Sequence, residues 1–442
     1  MTHTLPHHTL VSRILRFYRL HLSRYLVFRA VRALATILYR SVYRAYCHLK
    51  PTASVARFDL VRFGSYMGDH LVARIPVFTA QPTHIPGPDF LNDRNGATSA
   101  TPSTVAIELP KIDVVDLHDV AVVGGTDFIL AGEVALAPDC FVEFADTCPA
   151  DIFGVTSTDH SQRLLQLYCT GEGIQIDAGI SLLGQNTANY AHWLTETLPK
   201  LAVLNAHPQY EDLPLLVDCG LHRNIYDTIG TVGGKQRKLI FVERWQRVRV
   251  RRLVSVSQAG YEPYIPHGLF NTGTPQIVNT FSAPALAAMH TAVLDTLPPS
   301  DARDCEKIFL CRSDRSNNLR GLTNSVEIEG LLRKKGYAVV DPTRMSFIEQ
   351  VQACHAARII VAPVGAALAN MIFASPGCRI LVLSPYYENA NYYFYANLAA
   401  VLKLQFFYLL GRQSDQHGHP MHRSYSVELD VLERVLDSLK ER

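Results

Sequence analysis

At 442 residues, 48% hydrophobic and 19% charged, the chain can bury a large core and is too long for one ordinary domain. Net charge is only +2, yet ten of the 42 Lys and Arg precede the first acidic residue, Asp59, which leaves 32 against 40 Asp and Glu in the remainder. Such an acidic body, with no recognisable binding motif, argues against a nucleic-acid partner. Nine scattered cysteines without CxxC spacing indicate neither a disulfide framework nor a zinc site, and no Asn-x-Ser/Thr sequon occurs, so a reducing, cytoplasmic setting is expected.

Residues 1–55 form a basic extension in which arginines from Arg13 to Arg44 alternate with Leu, Phe and Tyr. No uncharged run nears the roughly 20 residues that span a bilayer. A basic, aromatic-rich helix over 10–46, lying on an anionic membrane surface at the inner face of the cytoplasmic membrane, fits these residues. So do a helix packed on the body and an organelle presequence. Pro51 to Pro102 is rich in Pro, Gly, His and Asp and reads as irregular. From Thr104 to Phe153 short apolar runs broken by Gly124-Gly125 and Gly132 predict antiparallel strands, so 56–180 is expected to be an irregular, β-rich segment.

Asn189 then caps a helix running through Pro199. Asn189, His192, Trp193, Glu196 and Lys200 fall on one helical stripe that is largely polar, while Leu194, Leu198, Leu201 and Leu204 supply a core-facing side. Beyond it, strands at Leu213 to Val217, Leu239 to Val242 and Arg252 to Val256 alternate with helices at Arg223 to Ile229 and Pro284 to Leu297. This alternation predicts a parallel sheet covered by helices over 181–299, closed by Pro298-Pro299.

Residues 300–442 show the pattern most clearly. Strands are expected at Lys307 to Cys311, Tyr337 to Val340, Arg358 to Ala362, Arg379 to Leu383 and Leu404 to Leu409. Asn324 with Glu327, and Ser346 with Glu349, have capping-box spacing at the starts of intervening helices, the first stopping at Gly336. Further helices are read from Tyr392 to Leu402 and Val427 to Lys440. The fold class is α/β, with a doubly wound nucleotide-binding-type domain at the C-terminal end.

Few places could carry chemistry. A histidine and a carboxylate one helical turn apart, His192 and Glu196, form a plausible base and orienter for deprotonating a hydroxyl; a capped amphipathic helix with both in solvent fits the same spacing. Gly365-Ala366-Ala367, followed by Asn370, is a small-residue turn opening a helix, open to a phosphate or equally suited to tight packing. Arg312, Arg315 and Arg320 follow the first strand of the C-terminal domain, where the ligand crevice of such sheets lies; they suit a diphosphate or a solvated loop. No Asp-x-Asp, Walker loop, GxSxG or HExxH is present, so neither a carboxylate-held metal nor any cofactor is expected.

Together these motifs support a recognition. Asn189-Tyr190-x-His192-Trp193-Leu194-x-Glu196-x-Leu198-Pro199, Ile308-Phe309-Leu310-x-Arg312, Arg320 with Asn324 and Glu327, Ser346-Phe347-x-Glu349-Gln350 and Gly365-Ala366-x-Leu368-Ala369-Asn370 resemble glycosyltransferase family 61. The resemblance implies a GT-B architecture of two Rossmann-like domains, the second binding a nucleotide-sugar donor and the first an acceptor. It implies inverting, metal-independent transfer to a glycan or lipid-linked saccharide in bacterial surface polysaccharide synthesis. In those terms His192 and Glu196 are catalytic; Arg312, Arg320, Gly365, Ala366, Ala367 and Asn370 bind donor; Asn189 and Trp193 are acceptor-side or structural. Two positions depart from the pattern: Val364 stands where the family usually has His, and Val382 where an acidic residue is usual. A catalytically degenerate scaffold holding a partner enzyme, and a related epimerase, are the alternatives.

Overall fold

Two sheets flank a common apolar core in the computed structural model. It describes residues 38, 54–92, 104–109, 111–139, 156–159, 164–233, 237–262, 279–298, 306–312, 320–387, 390–414 and 420–441. Apart from Leu38, the basic segment 10–46 expected to lie on a membrane falls outside these residues, as does Arg315. Among the described residues no helix is long and apolar enough to cross a membrane.

The first sheet has ten strands. Its main members are Ser54–Arg62 (β1), Leu71–Phe78 (β2), Ile112–Val123 (β3), Leu164–Ser181 (β4), Leu215–Asp218 (β5), Leu239–Val242 (β6) and Gln246–Val256 (β7). Period-two alternation explains β3: Ile112 and Val114 enter one apolar cluster while Val115 and Leu117 enter another on the opposite face. Pairing changes character along β4. Its first half pairs antiparallel with β1, and its second half is parallel to β5 and β7, so one sheet runs across residue 180. The stretch expected to be irregular, Pro51 to Pro102, instead holds β1, β2 and a strand at Gln81–Pro86. Partner strands elsewhere in the chain supply the hydrogen bonds that its local composition did not announce.

The second sheet is built on Lys307–Leu310 (β8), Ala338–Val340 (β9), Ile359–Pro363 (β10), Arg379–Pro385 (β11) and Gln405–Gln413 (β12). The five are parallel in the order β9-β8-β10-β11-β12. Strand order therefore reverses between β8 and β10, and a crevice opens beyond their carboxyl ends, where ligands bind in open α/β sheets. Asp89–Phe90 adds a short parallel strand beside β12, and Asn92 both donates to and accepts from the Leu410 backbone.

A turn of α-helix at Tyr190–His192, a π-turn at Trp193–Thr197 and an α-helix at Leu198–Leu204 run on without a break and are together α1. Arg223–Gly233 (α2) and Ala283–Leu294 (α3) follow, then Ser325–Lys334 (α4), Phe347–Ala356 (α5), Tyr393–Val401 (α6) and Leu429–Glu441 (α7). One apolar cluster contains Leu198 and Leu201 of α1, Val254 of β7, Met289 of α3 and Ile360 of β10, so the two sheet layers share a core. The Ser346 capping box forms as expected. The Asn324 box does not: its side chain accepts from the Val427 N–H and donates to the Val427 carbonyl, because pairing with this distant backbone satisfies the amide twice over. Residues Ala366–Phe373 form a 3₁₀ segment rather than the opening of an α-helix.

Asp218, at the end of β5, fastens the approach to α1. Its carboxylate accepts from the Gly125 and Gly184 N–H groups and from the Thr187 hydroxyl. Burial nevertheless raises its pKa to about 6, these hydrogen bonds only partly opposing the rise. The folded state thus holds a proton more tightly than the unfolded chain, whose Asp titrates near about 3.9. Stability should fall as pH rises from about 4 to about 6 and carry the full cost, up to about 3 kcal/mol, above that window. Denaturant midpoints at pH 4.5 and 7 check this: the fall between them should shrink in Asp218→Asn.

Candidate active site

A cleft of about 910 Å³ opens between the two sheet layers, within the size range of small-molecule sites. One wall is α1, entered through the Asn189 cap, whose side chain accepts from the Ala191 N–H as the sequence predicts. Pro199 lies at the second position of the last α1 segment and has no N–H to offer Thr195, the residue four before it. The chain widens into the π-turn just there, a feature that tends to accompany functional sites.

His192 and Glu196 come together across this turn, Nδ1 to Oε1, at 2.6 Å. The other ring nitrogen, Nε2, meets Glu262 Oε2 at 2.9 Å. Burial alone would push the imidazole pKa down; the two carboxylates overcome it and hold His192 well above the ordinary histidine range. Glu196 is itself raised, chiefly by burial, with His192 opposing and Glu262 and Asp127 adding to the shift. His192 and Glu262 line the cleft, whereas Glu196 stands behind the ring. The edge of the imidazole packs on Phe394.

The polar stripe on α1 is therefore not a solvated face. Trp193 is fully buried and donates to Thr228 Oγ1 at 2.8 Å, an anchor to α2 rather than a surface for ligand. Lys200 is buried too, its pKa lowered by desolvation against the opposing pull of Asp127 and Glu196.

At the opposite wall, beyond β8 and β10, the guanidinium groups of Arg312 and Arg320 converge. Arg312 Nη1 donates to the Val364 carbonyl at 3.3 Å and Arg320 Nη2 donates to the same oxygen at 3.2 Å; Arg320 Nη1 also reaches Met421 O. Burial, and then the neighbouring Arg320, lowers the Arg312 pKa. A Cβ on Gly365 would lie 3.1 Å from Arg312 Nη1, so glycine lets the guanidinium lie close against the backbone. Tyr395 donates its hydroxyl to the Gly365 carbonyl. Gly365, Ala366 and Ala367 line the cleft, while Asn370 is fully buried behind it, accepting from Tyr190 and donating to Gln350. Asn370 thereby ties α1 to α5. Of the two departures, Val364 lines the cleft and lends its carbonyl to both arginines; Val382 is buried in β11.

The cleft thus sets a carboxylate–imidazole centre opposite a pair of cationic forks, which suits proton removal at one end and stabilisation of a polyanionic leaving group at the other. The sequence model of the Glycosyltransferase 61 family matches residues 190–381, from the first turn of α1 into β11. Over these residues the chain is similar to glycosyltransferase family 61. No curated protein matches the chain. The matched family is one of glycosyltransferases.

Sequence reasoning had missed Glu262, inside the matched region, and Tyr387, Tyr392 and Tyr395 of the cleft wall, which lie beyond it. Tyr387 and Tyr395 lie within electrostatic reach of both Arg320 and Glu262, so both ends of the site act on one enclosed space. Nothing local marks Glu262: no periodic pattern or motif contains it, and its partner lies seventy positions earlier in the chain.

Proposed function

We propose that the cleft carries out an inverting, metal-independent transfer from a nucleotide-sugar donor to a glycan or lipid-linked saccharide acceptor. The diphosphate lies at Arg312, Arg320 and the backbone of Gly365 to Ala367, and the acceptor hydroxyl approaches from the α1 side. Its proton leaves into the Glu196–His192–Glu262 chain. The hydroxyl oxygen attacks the anomeric carbon from the face opposite the leaving nucleoside diphosphate, so configuration inverts in one displacement. The observation that carries this reading is the pairing, in one cleft, of the His192 centre with two guanidinium groups on a single carbonyl. Two permanent cations can neutralise charge developing on a diphosphate, which is the work a divalent ion does elsewhere.

On this reading the enzyme is of the GT-B type, with the parallel second sheet as the donor half and the α1 side as the acceptor half. Surface polysaccharide synthesis in a bacterium, with the basic segment 10–46 resting on the cytoplasmic face of the membrane, is the setting that fits these substrates.

Product analysis tests the chemistry. Incubation with UDP-, GDP-, CMP- and dTDP-sugars and aryl glycoside acceptors should give one product of inverted anomeric configuration by NMR, at a rate that EDTA leaves unchanged. Retained configuration, or loss of the reaction in EDTA, would overturn the mechanism. Nucleotide binding without any transfer would instead favour a degenerate scaffold, with Val364 as the leading cause.

A further inference from the structure

Hydrogen-bond capacity decides where the proton sits at the His192 centre. An ionised carboxylate can only accept, so each ring nitrogen facing one must donate. With Glu196 and Glu262 both ionised, the ring is an imidazolium. If the buried Glu196 holds the proton instead, it donates to Nδ1 and the ring is the Nε2–H tautomer. In both states Nε2 points a proton at Glu262, and the imidazole offers no lone pair to the cleft. A third arrangement, with the proton on Glu262, places it on the carboxylate that water solvates best: the Glu262 side chain is 33% exposed, against 9% for Glu196 and 12% for His192. That arrangement holds the same number of protons as the other two and gives up the solvation of that carboxylate; a proton taken up from an acceptor instead adds to Glu262 while Nε2–H stays in place.

We propose that Glu262 is the base that receives the acceptor proton, and that His192 is the residue that positions it. The inference rests on the transferase reading above and specifies its proton acceptor. The acceptor O–H bond breaks and its proton goes to a Glu262 carboxylate oxygen. The electron pair of that hydroxyl oxygen forms the new bond to the anomeric carbon. The bond from that carbon to the diphosphate breaks, and its pair leaves on the nucleoside diphosphate, opposite Arg312 and Arg320.

Local structure supports a built site. The strand Gly260–Tyr261 pairs with Thr280–Phe281 and lies directly against the π-turn. A Cβ on Gly260 would come within 2.4 Å of the Thr195 carbonyl, so only glycine allows the approach. Two residues on, this close contact delivers Glu262 to the edge of the His192 ring. Glu196, held behind the ring with Asp127 and Lys200 in its surroundings, fixes the imidazole from the far side.

The test compares the full-length chain with Glu262→Gln, Glu262→Ala and His192→Gln, using the four nucleotide-sugar classes and aryl glycosides named above. Glu262→Gln should lose about 10² to 10⁴ in kcat with donor KM changed only a few-fold, and the acid limb of its kcat–pH profile should vanish. His192→Gln should be slowed yet keep that limb. Azide, which attacks as an anion and needs no base, should yield an inverted glycosyl azide on Glu262→Ala. Unchanged kcat in Glu262→Gln, or an acid limb lost only in His192→Gln, would overturn the proposal and return the role to His192. If the wild type transfers from none of these donors, the transferase reading fails on its own, and the assignment is decided by ¹⁵N NMR of the histidine rings. His192 Nε2 should stay protonated to pH 8, and an unprotonated Nε2 at neutral pH overturns it.

Discussion

Replacing His192 with alanine is expected to lower turnover by about 10² to 10⁴, the usual range for losing positioned acid–base machinery. The size follows from what the ring holds. Among the described residues His192 pairs with both Glu196 and Glu262, and its removal leaves the two carboxylates facing one another beside Phe394. Glu262 then loses the partner that fixes its orientation, and Glu196 loses the cation that offsets its burial. A buried carboxylate stripped of its partner becomes protonated rather than remain charged, so its folded pKa should climb further above the unfolded value near about 4.3. Stability would then fall as pH rises through that widened window. The melting temperature of His192→Ala should therefore lie closer to wild type at pH 5 than at pH 8. Adding Glu196→Gln should restore much of the melting temperature and none of the turnover, which separates the structural from the chemical loss. A folded His192→Ala protein with near-full turnover would remove this centre from the mechanism.

The second large effect is expected at the cationic pair. Arg312→Ala should cost about 10² to 10³ in kcat, comparable to losing one preorganised donor to a developing anion, and should abolish any rise in melting temperature caused by nucleotides. Two guanidinium groups converge on the Val364 carbonyl, and burial with Arg320 nearby already disfavours the charge on Arg312. An arriving diphosphate relieves that repulsion, so binding energy and site geometry are coupled. Lysine should rescue poorly, because an ammonium cannot present a planar fork to a carbonyl and a diphosphate together. Thermal-shift measurements with UDP, GDP, CMP and dTDP, with and without EDTA, check this directly. The shift should be metal-independent, confined to one or a few nucleotides, and absent in Arg312→Ala. A full shift retained in that variant would move the diphosphate away from β8 and β10.

What the sequence could determine about this protein is what depends on near neighbours in the chain. The Asn189 cap, the Ser346–Glu349 box and the His192–Glu196 bond each span two to four positions, where helical geometry alone brings groups together. The period-two and 3.6-residue patterns likewise placed most strands and helices of the second sheet. The resemblance to family 61 was legible too, because several short motifs stand in order even where each alone is weak. Longer-range facts were not. Asn324 looked like a cap and became a clamp on Val427, since a hydrogen bond available only after folding outcompeted the local one. Trp193 shares the helical stripe of His192, but the surrounding apolar layer decided that it enters the core. Val364 matters through its carbonyl, a group every residue has, and no side-chain pattern can announce it. Glu262 is the plainest case: its chemistry comes from a ring seventy residues away, reached only because Gly260 lets two backbones touch. Local hydrogen bonding and periodicity wrote the elements, while burial and close approach between distant segments decided which polar groups face the cleft.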